Sequence, residues 1–426
     1  MDHLTLIIIA LIFMGFGLLS GKIEGSLLTP PLLFSGLGLL FSQNNLALVD
    51  LHIDPEAIYI ITEITLILVL FSDAARINLR GLKGNHNIPV RLLLIGMPLT
   101  IALGGILALW LPLDLNLWEA VLLAAILAPT DAALGLMVVT SEHVPVRIRQ
   151  AINVESGLND GIALPVVLIF VSLASSSQLQ EQHDWVQFVV YQLGFGPLVG
   201  IFIGYLGAKV INIATQKDWM TESSEGLVAL AIAALAYTLA ESLHGNGFIA
   251  AFVAGLIFGN TLTHVCRFLF EFAETEGQLL TLVTFFIFGA VLLPDVLPLI
   301  NGWILLYALL SLTIIRIIPV ALSLVGAKMN ILSTLFLGWF GPRGLASILF
   351  LLLILEQGHI EHANIIATIT LLTISLSIIA HGISAAPFAR FYGKKVATMG
   401  KCEEIVPVQE IPTRTGKLLN KLTKKH

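Results

Sequence analysis

About thirteen mainly apolar stretches run the length of the chain, each close to the ~20 residues that an α-helix needs to cross a bilayer. They fall near 4–20, 27–43, 57–72, 90–112, 117–139, 150–174 and 185–212, then near 225–243, 246–260, 277–297, 302–325, 331–355 and 363–386. In hydrocarbon every backbone N–H and C=O must find a partner within the protein, so only helices and closed barrels span it, and stretches this long select helices. Composition agrees: 12% of the 426 residues are Asp, Glu, Lys or Arg, against about 25% in a soluble domain. Mean hydropathy is +0.92. So few charges cannot cover a water-facing surface, which excludes a soluble enzyme, a disordered chain and a disulfide scaffold. The first stretch reads as a span and not a cleaved leader, because Asp2 and His3 replace a positive flank and no A-x-A site follows.

Charge divides the chain. Residues 387–426 hold nine Lys/Arg against three Glu, while the rest holds 13 against 25 acids. A basic tail therefore follows an acidic membrane domain, 1–386. Arginine and lysine favour the cytoplasmic side. Arg76, Arg80, Lys83 and Arg91 mark the third connection, Arg147 and Arg149 the fifth, Lys209 and Lys217 the seventh, and Lys328 the eleventh. Even connections carry Asp50, Asp54 and Glu56, then Asp114, Glu181 and Asp184, and finally Glu356 and Glu361. The ninth is mixed, with Arg267 among Glu271, Glu274 and Glu276. This pattern puts the N-terminus outside and the C-terminus in the cytoplasm, as in a bacterial inner membrane. The tail reads as a solvated segment drawn to anionic lipid headgroups. Cys266 and Cys402 read as free thiols. No nucleic-acid partner and no cofactor is expected.

Two stretches are interrupted in corresponding places. Ala128-Pro129-Thr130-Asp131 breaks the fifth and Gly341-Pro342-Arg343-Gly344 the twelfth. A seven-span offset reverses orientation, so the halves read as inverted repeats, about 1–174 and 225–386, joined by the span at 185–212. Paired interruptions of this kind point to a transporter's midplane binding site. Proline cannot donate to the carbonyl four residues back, and the freed groups are tolerated at membrane depth only against protein or a wet cavity.

The ionisable residues read as lying inside spans are Glu63, Asp131, Glu155, Asp160, Arg316 and Arg343. Each costs ~2.5–3.5 kcal/mol on insertion scales, which marks it as a functional candidate. Acids outnumber bases, which favours a cation or protons. The sixth span concentrates them in Asn153-Val154-Glu155-Ser156-Gly157-Leu158-Asn159-Asp160-Gly161. At helical spacing Ser156 and Asp160 share one stripe, and Glu155 and Asn159 the next. Gly157 and Gly161 form a ridge that another helix can approach. Hard oxygen ligands suit an alkali cation or a proton. His143 and His264 read as solvated loop histidines.

Thr130-Asp131 in a broken span, then Glu155-Ser156 and Asn159-Asp160 in the next, resemble the monovalent cation:proton antiporters of the NhaP-like, electroneutral branch. Gly341–Gly344, Arg316 and Phe286–Gly289 match that family's twelfth, eleventh and tenth spans, and the resemblance covers roughly 4–386. Ala132 departs from it, standing where the family often has proline. The resemblance implies that Asp160 binds cation and proton in turn, with Ser156, Thr130 and Glu63 as further oxygen ligands of Na⁺. It implies that Asp131 supports the half-helix ends of two crossed broken helices and that Arg343 offsets their negative ends. Glu155 would pair with Arg316, held by Asn159. A homodimer and an elevator-like movement of spans 4–6 and 11–13 are implied as well.

The function expected is therefore secondary transport, Na⁺, Li⁺ or K⁺ exchanged for H⁺ in pH homeostasis, and no enzyme. A sodium-coupled organic-anion symporter of related fold would need a second sodium site, for which no acid is spare. A channel would conduct cations without proton coupling. No His-Glu-x-x-His or Gly-x-Ser-x-Gly motif supports an intramembrane enzyme.

Overall fold

A computed structural model describes residues 3–23, 28–47, 55–77, 79, 87–131, 134–175, 184–263, 276–357, 360–398 and 404. Arg80, Lys83, Asp50, Asp54, Ala132, Glu181, His264, Cys266, Arg267, Glu271, Glu274 and Cys402 lie outside the described residues, as does the tail beyond Thr398 apart from Glu404. Helices occupy the described part of every apolar stretch, and the described residues contain no strand. They are α1 (His3–Ile23), α2 (Pro30–Phe41), α3 (Pro55–Ala75), α4 (Asn87–Trp110), α5 (Leu117–Ile126), α6 (Leu136–Val139), α7 (Val146–Ser175) and α8 (Asp184–Gln216). There follow α9 (Glu222–Ser242), α10 (Gly247–Thr261), α11 (Gly277–Leu299), α12 (Gly302–Leu312), α13 (Ile314–Ser323), α14 (Ile331–Trp339), α15 (Leu345–Gln357) and α16 (Ala363–Ala397). Among the described residues, eight helical stretches are long and apolar enough to cross a membrane.

The chain forms two compact units. The first holds α1, α2, α4 to α6, the start of α7 as far as Ser156, and the chain from Leu279 through Glu404. Here α2 and α11 meet backbone to backbone: a methyl on Gly38 would strike the Phe286 carbonyl, and one on Gly289 the Ser35 carbonyl. Between α4 and α5 the fit is similar, with Gly104 against Ala124 and Gly105 against Val121. A buried apolar cluster joins Leu92, Val139, Ile148, Val320, Phe336 and Tyr392.

The second unit comprises α3 from Ile61, α7 from Gly157, and α8 to α10. Glycines at four-residue spacing on α8 lie against α10, where a Cβ on Gly196 would come within 2.8 Å of the Asn246 carbonyl and one on Gly200 within 2.6 Å of the Ala250 carbonyl. The opposite side of α10 offers Gly255 and Gly259 to the backbone of α3 at Phe71 and Ala75. Lipid tails are as apolar as leucine, so close packing of this kind is what draws membrane helices together. The ridge at Gly157 and Gly161 behaves differently from the expectation. Gly161 receives the Phe252 ring, and among the described residues a Cβ on Gly157 would meet the Ile77 side chain at 3.7 Å.

Three irregularities carry no clear sequence warning. The fifth stretch resumes after its break only as the single turn α6. The eleventh is interrupted at Thr313, between α12 and α13, which puts Arg316 in the first turn of α13. Wide turns at Leu92–Gly96 and Phe288–Leu292 interrupt α4 and α11.

Candidate functional site

The two interruptions lie against each other inside the first unit. Phe340 N–H makes the last regular bond of α14, to the Phe336 carbonyl at 2.9 Å. Leu127 closes α5 on the Leu123 carbonyl at 3.1 Å. The breaks then pair directly, the Asp131 amide donating to the Pro342 carbonyl at 2.8 Å.

Asp131 is buried and serves both strands of this crossing. Its Oδ2 accepts from the Leu345 amide at 2.6 Å, at the start of α15, and its Oδ1 from the Leu134 amide at 3.3 Å. A carboxylate there meets the orphan N–H groups and the positive end of the dipole. Gly344 is required by this arrangement, because a Cβ would fall on the carboxylate.

Arg343, with no exposed surface, serves the opposite ends. Its Nη1 donates to the Gly341 carbonyl at 3.1 Å and the Ala128 carbonyl at 3.4 Å, each just past the C-terminal end of a half-helix. A cation is favoured where helix carbonyls are left over. Its own amide donates to Ser377 Oγ at 2.7 Å. Two more carbonyls near the half-helix ends are reached from other helices: Ser347 Oγ donates to Ile126 at 2.7 Å, and His381 Nε2 lies 2.8 Å from the Trp339 carbonyl, which also accepts from the Gly341 amide at 2.9 Å. His381 Nδ1 lies 2.9 Å from the Ser377 carbonyl and 3.2 Å from the Ser377 hydroxyl.

Beside the crossing, Glu155 and Arg316 form a buried ion pair at 2.5 Å. Gly341 leaves room for it, since a Cβ there would come within 2.5 Å of Arg316 Nε and 3.0 Å of Thr130 Cγ2. Thr130 Oγ1 and Ser156 Oγ are 3.0 Å apart and buried. Thr130, Asp131, Glu155, Ser156, Arg316 and Arg343 are thus gathered in one place. In the second unit, α7 carries buried Asn159 and half-buried Asp160. Glu63, half-buried on α3, accepts a hydrogen bond from the Tyr237 hydroxyl of α9.

Several polar groups of these spans escape the sequence reading. His381 and Ser377 are buried in the last stretch, where Ser377, His381 and Ser384 recur at helical spacing among apolar residues. Glu119 is fully buried at the head of α5, and its signal is the Asn116-x-x-Glu119 capping pattern.

The family model "Sodium/hydrogen exchanger, transmembrane" matches residues 7–391. The K⁺/H⁺ antiporter NhaP of Alkalimonas amylolytica is 24% identical over 418 residues, covering 96% of this chain and 70% of that protein. The K⁺/H⁺ antiporter NhaP2 of Shewanella oneidensis is 24% identical over 364 residues, covering 84% of this chain and 62% of the other. The solved structure of the sodium proton antiporter MjNhaP1 from Methanocaldococcus jannaschii shares the fold, with a TM-score of 0.75 at 21% identity over 92% of this chain and 99% of that one. On the strength of the model match and this shared architecture, the chain belongs to the transmembrane sodium/hydrogen exchanger family.

Proposed function

We propose that this protein exchanges a monovalent alkali cation, Na⁺ or K⁺, for H⁺ by alternating access, the two ligands taking turns on Asp160. The observation that carries the reading is the crossing of two broken helices, its positive ends met by Asp131 and its negative ends by Arg343, with the Thr130 and Ser156 hydroxyls alongside. Internal compensation of both dipoles leaves a polar break at membrane depth without a net charge of its own. Asp160 follows Ser156 by one turn on α7, so a hydroxyl and a carboxylate point the same way. The buried Glu155–Arg316 ion pair is assigned a structural role and Asp160 that of the exchanging acid. Relatives named for K⁺ and a fold neighbour named for Na⁺ favour an alkali cation and leave the choice between the two to measurement. The protein acts as a transporter and not an enzyme, as a homodimer in a bacterial inner membrane, N-terminus outside and C-terminus in the cytoplasm. The family resemblance is the support for reading Glu63, Thr130 and Ser156 as cation ligands and Asn159 as the residue that holds Glu155.

The test is a pH-gradient dye in proteoliposomes with NaCl, KCl, LiCl or choline chloride added in turn. Dequenching with an alkali salt and none with choline supports exchange. Cation flux that leaves the pH gradient unchanged would indicate a channel and overturn the reading.

A further inference from the structure

Polar contacts join α16 to the two broken helices at its start, middle and end, and only the middle set belongs to the breaks. At the start, Asn116 caps α5 by accepting from the Trp118 and Glu119 amides, both at 3.0 Å. Glu119 Oε2 returns to the Asn116 amide at 3.0 Å. The same carboxylate reaches the residue that opens α16: His362 donates its amide to Oε1 at 3.1 Å, and its Nδ1 lies 2.9 Å from Oε2. At the far end, Asn330 caps α14 by accepting from the Leu332 amide at 2.9 Å. Glu404, beyond the end of α16 and 1% exposed, accepts at Oε1 from both the Asn330 amide and Ser333 Oγ, each at 2.8 Å. Tyr392 of α16 donates to that Ser333 hydroxyl at 2.8 Å and stacks on Phe336 with centroids 4.2 Å apart. Each broken helix therefore begins with an asparagine cap and a buried carboxylate: Glu119 binds the residue that opens α16, and Glu404 shares Ser333 with Tyr392 near the end of α16. At this point the tail departs from a wholly solvated segment.

We propose that Glu119 and Glu404 are positioning residues for exchange, fixing the heads of α5 and α14 to α16 and thereby setting where Thr130, Asp131 and Arg343 stand. Neither carboxylate touches the ion. The lever is short: α5 has ten residues and α14 nine, about 15 and 13 Å of rigid helix. A tilt at either head therefore arrives at the break little diminished. Stability alone is a weak reason to bury two acids, because apolar packing of similar volume serves as well or better. A helix head that has to hold one angle benefits from directional, charge-assisted bonds.

The inference rests on the exchange reading, and one experiment separates the two. Cation-induced dequenching is titrated with NaCl and with KCl in proteoliposomes of the unmodified protein, Glu404→Ala, Glu404→Gln and Glu119→Gln, each matched for folded protein by thermal shift. The bonds from the Asn330 amide and Ser333 Oγ both end on Glu404 Oε1, which a carboxamide keeps. Glu119 uses both oxygens, so a carboxamide there sets an NH₂ group against a donor. Glu404→Ala and Glu119→Gln should raise the apparent KM for the cation about tenfold with the maximal rate within about twofold, while Glu404→Gln stays within about twofold in both. Where a variant does not fold, Ser333→Ala or His362→Ala removes a single partner at that head and should raise KM about threefold. An unchanged KM in the altered heads, or Glu404→Gln as impaired as Glu404→Ala, overturns the proposal. No dequenching by the unmodified protein with either salt overturns the exchange reading itself.

Discussion

At the scale of single residues, the glycines flanking Arg343 are dictated by what stands opposite them. A methyl at 344 would land on the Asp131 carboxylate, which two backbone amides already hold, so the neighbour has nowhere to go. Overpacking of this kind costs about 1–3 kcal/mol. Gly344→Ala should therefore melt earlier than the parent in a thermal-shift assay in detergent, and an unchanged melting temperature would contradict the geometry. The Glu155–Arg316 pair makes a second demand. Removing either charge leaves the other buried and uncompensated, at about 3–5 kcal/mol. Glu155→Gln and Arg316→Gln should each lower yield and thermal stability, and the double variant should recover part of the loss. Equal stability of both single variants and the parent would mean that the charges do not depend on each other.

At the scale of elements, the breaks are legible from Pro129 and Pro342 only together with the polar Thr130-Asp131 and Arg343 beside them, since Pro165, Pro197, Pro319 and Pro387 sit inside continuous helices. The groups that receive the freed carbonyls are not legible. Ser347 and Ile126 are 221 positions apart, and His381 and Trp339 are 42 apart; no local pattern links them, and hydropathy averaging hides one histidine among leucines and isoleucines. The interruption at Thr313 is harder still, since the nearest proline, Pro319, lies inside the following helix. Glu119 escapes for another reason: at the head of a stretch it looks like an interfacial acid, and only the packing of His362 over it explains its burial. These contacts carry a prediction about α14. His381→Phe keeps the volume but removes one of the two donors to the Trp339 carbonyl, leaving the Gly341 amide at 2.9 Å, at about 1 kcal/mol. His381→Gln retains an N–H that can reach the same carbonyl. The phenylalanine variant should melt below the glutamine one, and identical melting curves would remove His381 from the support of the break.

At the scale of the whole molecule, hydropathy supplies the helices but not their neighbours, because every stretch is equally at home in lipid. Glycine spacing recovers part of that, as Gly196, Gly200 and Gly204 do for α8 against α10, yet the same spacing at Gly157 and Gly161 admits side chains instead. The structure adds the partners of several candidate charges. Asp131 is held by backbone amides, Glu155 by Arg316 and Glu63 by Tyr237, and Arg343 is set on carbonyls. The proposed role of Asp160, one turn from Ser156 on α7, carries a prediction of how the cycle answers to pH. If proton and cation exclude each other on one carboxylate, then below the pH at which that group gives up its proton, each further unit of acidification should raise the apparent KM for the cation about tenfold. The maximal rate should change far less, because saturating cation displaces the proton. With equal pH on both sides, activity should be bell-shaped: protons occupy the site on the acid limb and become scarce on the alkaline one. Asp160→Asn should abolish exchange, whereas Ser156→Ala should raise KM and leave the position of the acid limb in place. Dequenching titrated in cation at several pH values measures all of these together. A KM that stays constant with pH, or an active Asp160→Asn protein, would place the exchanging group elsewhere in the chain.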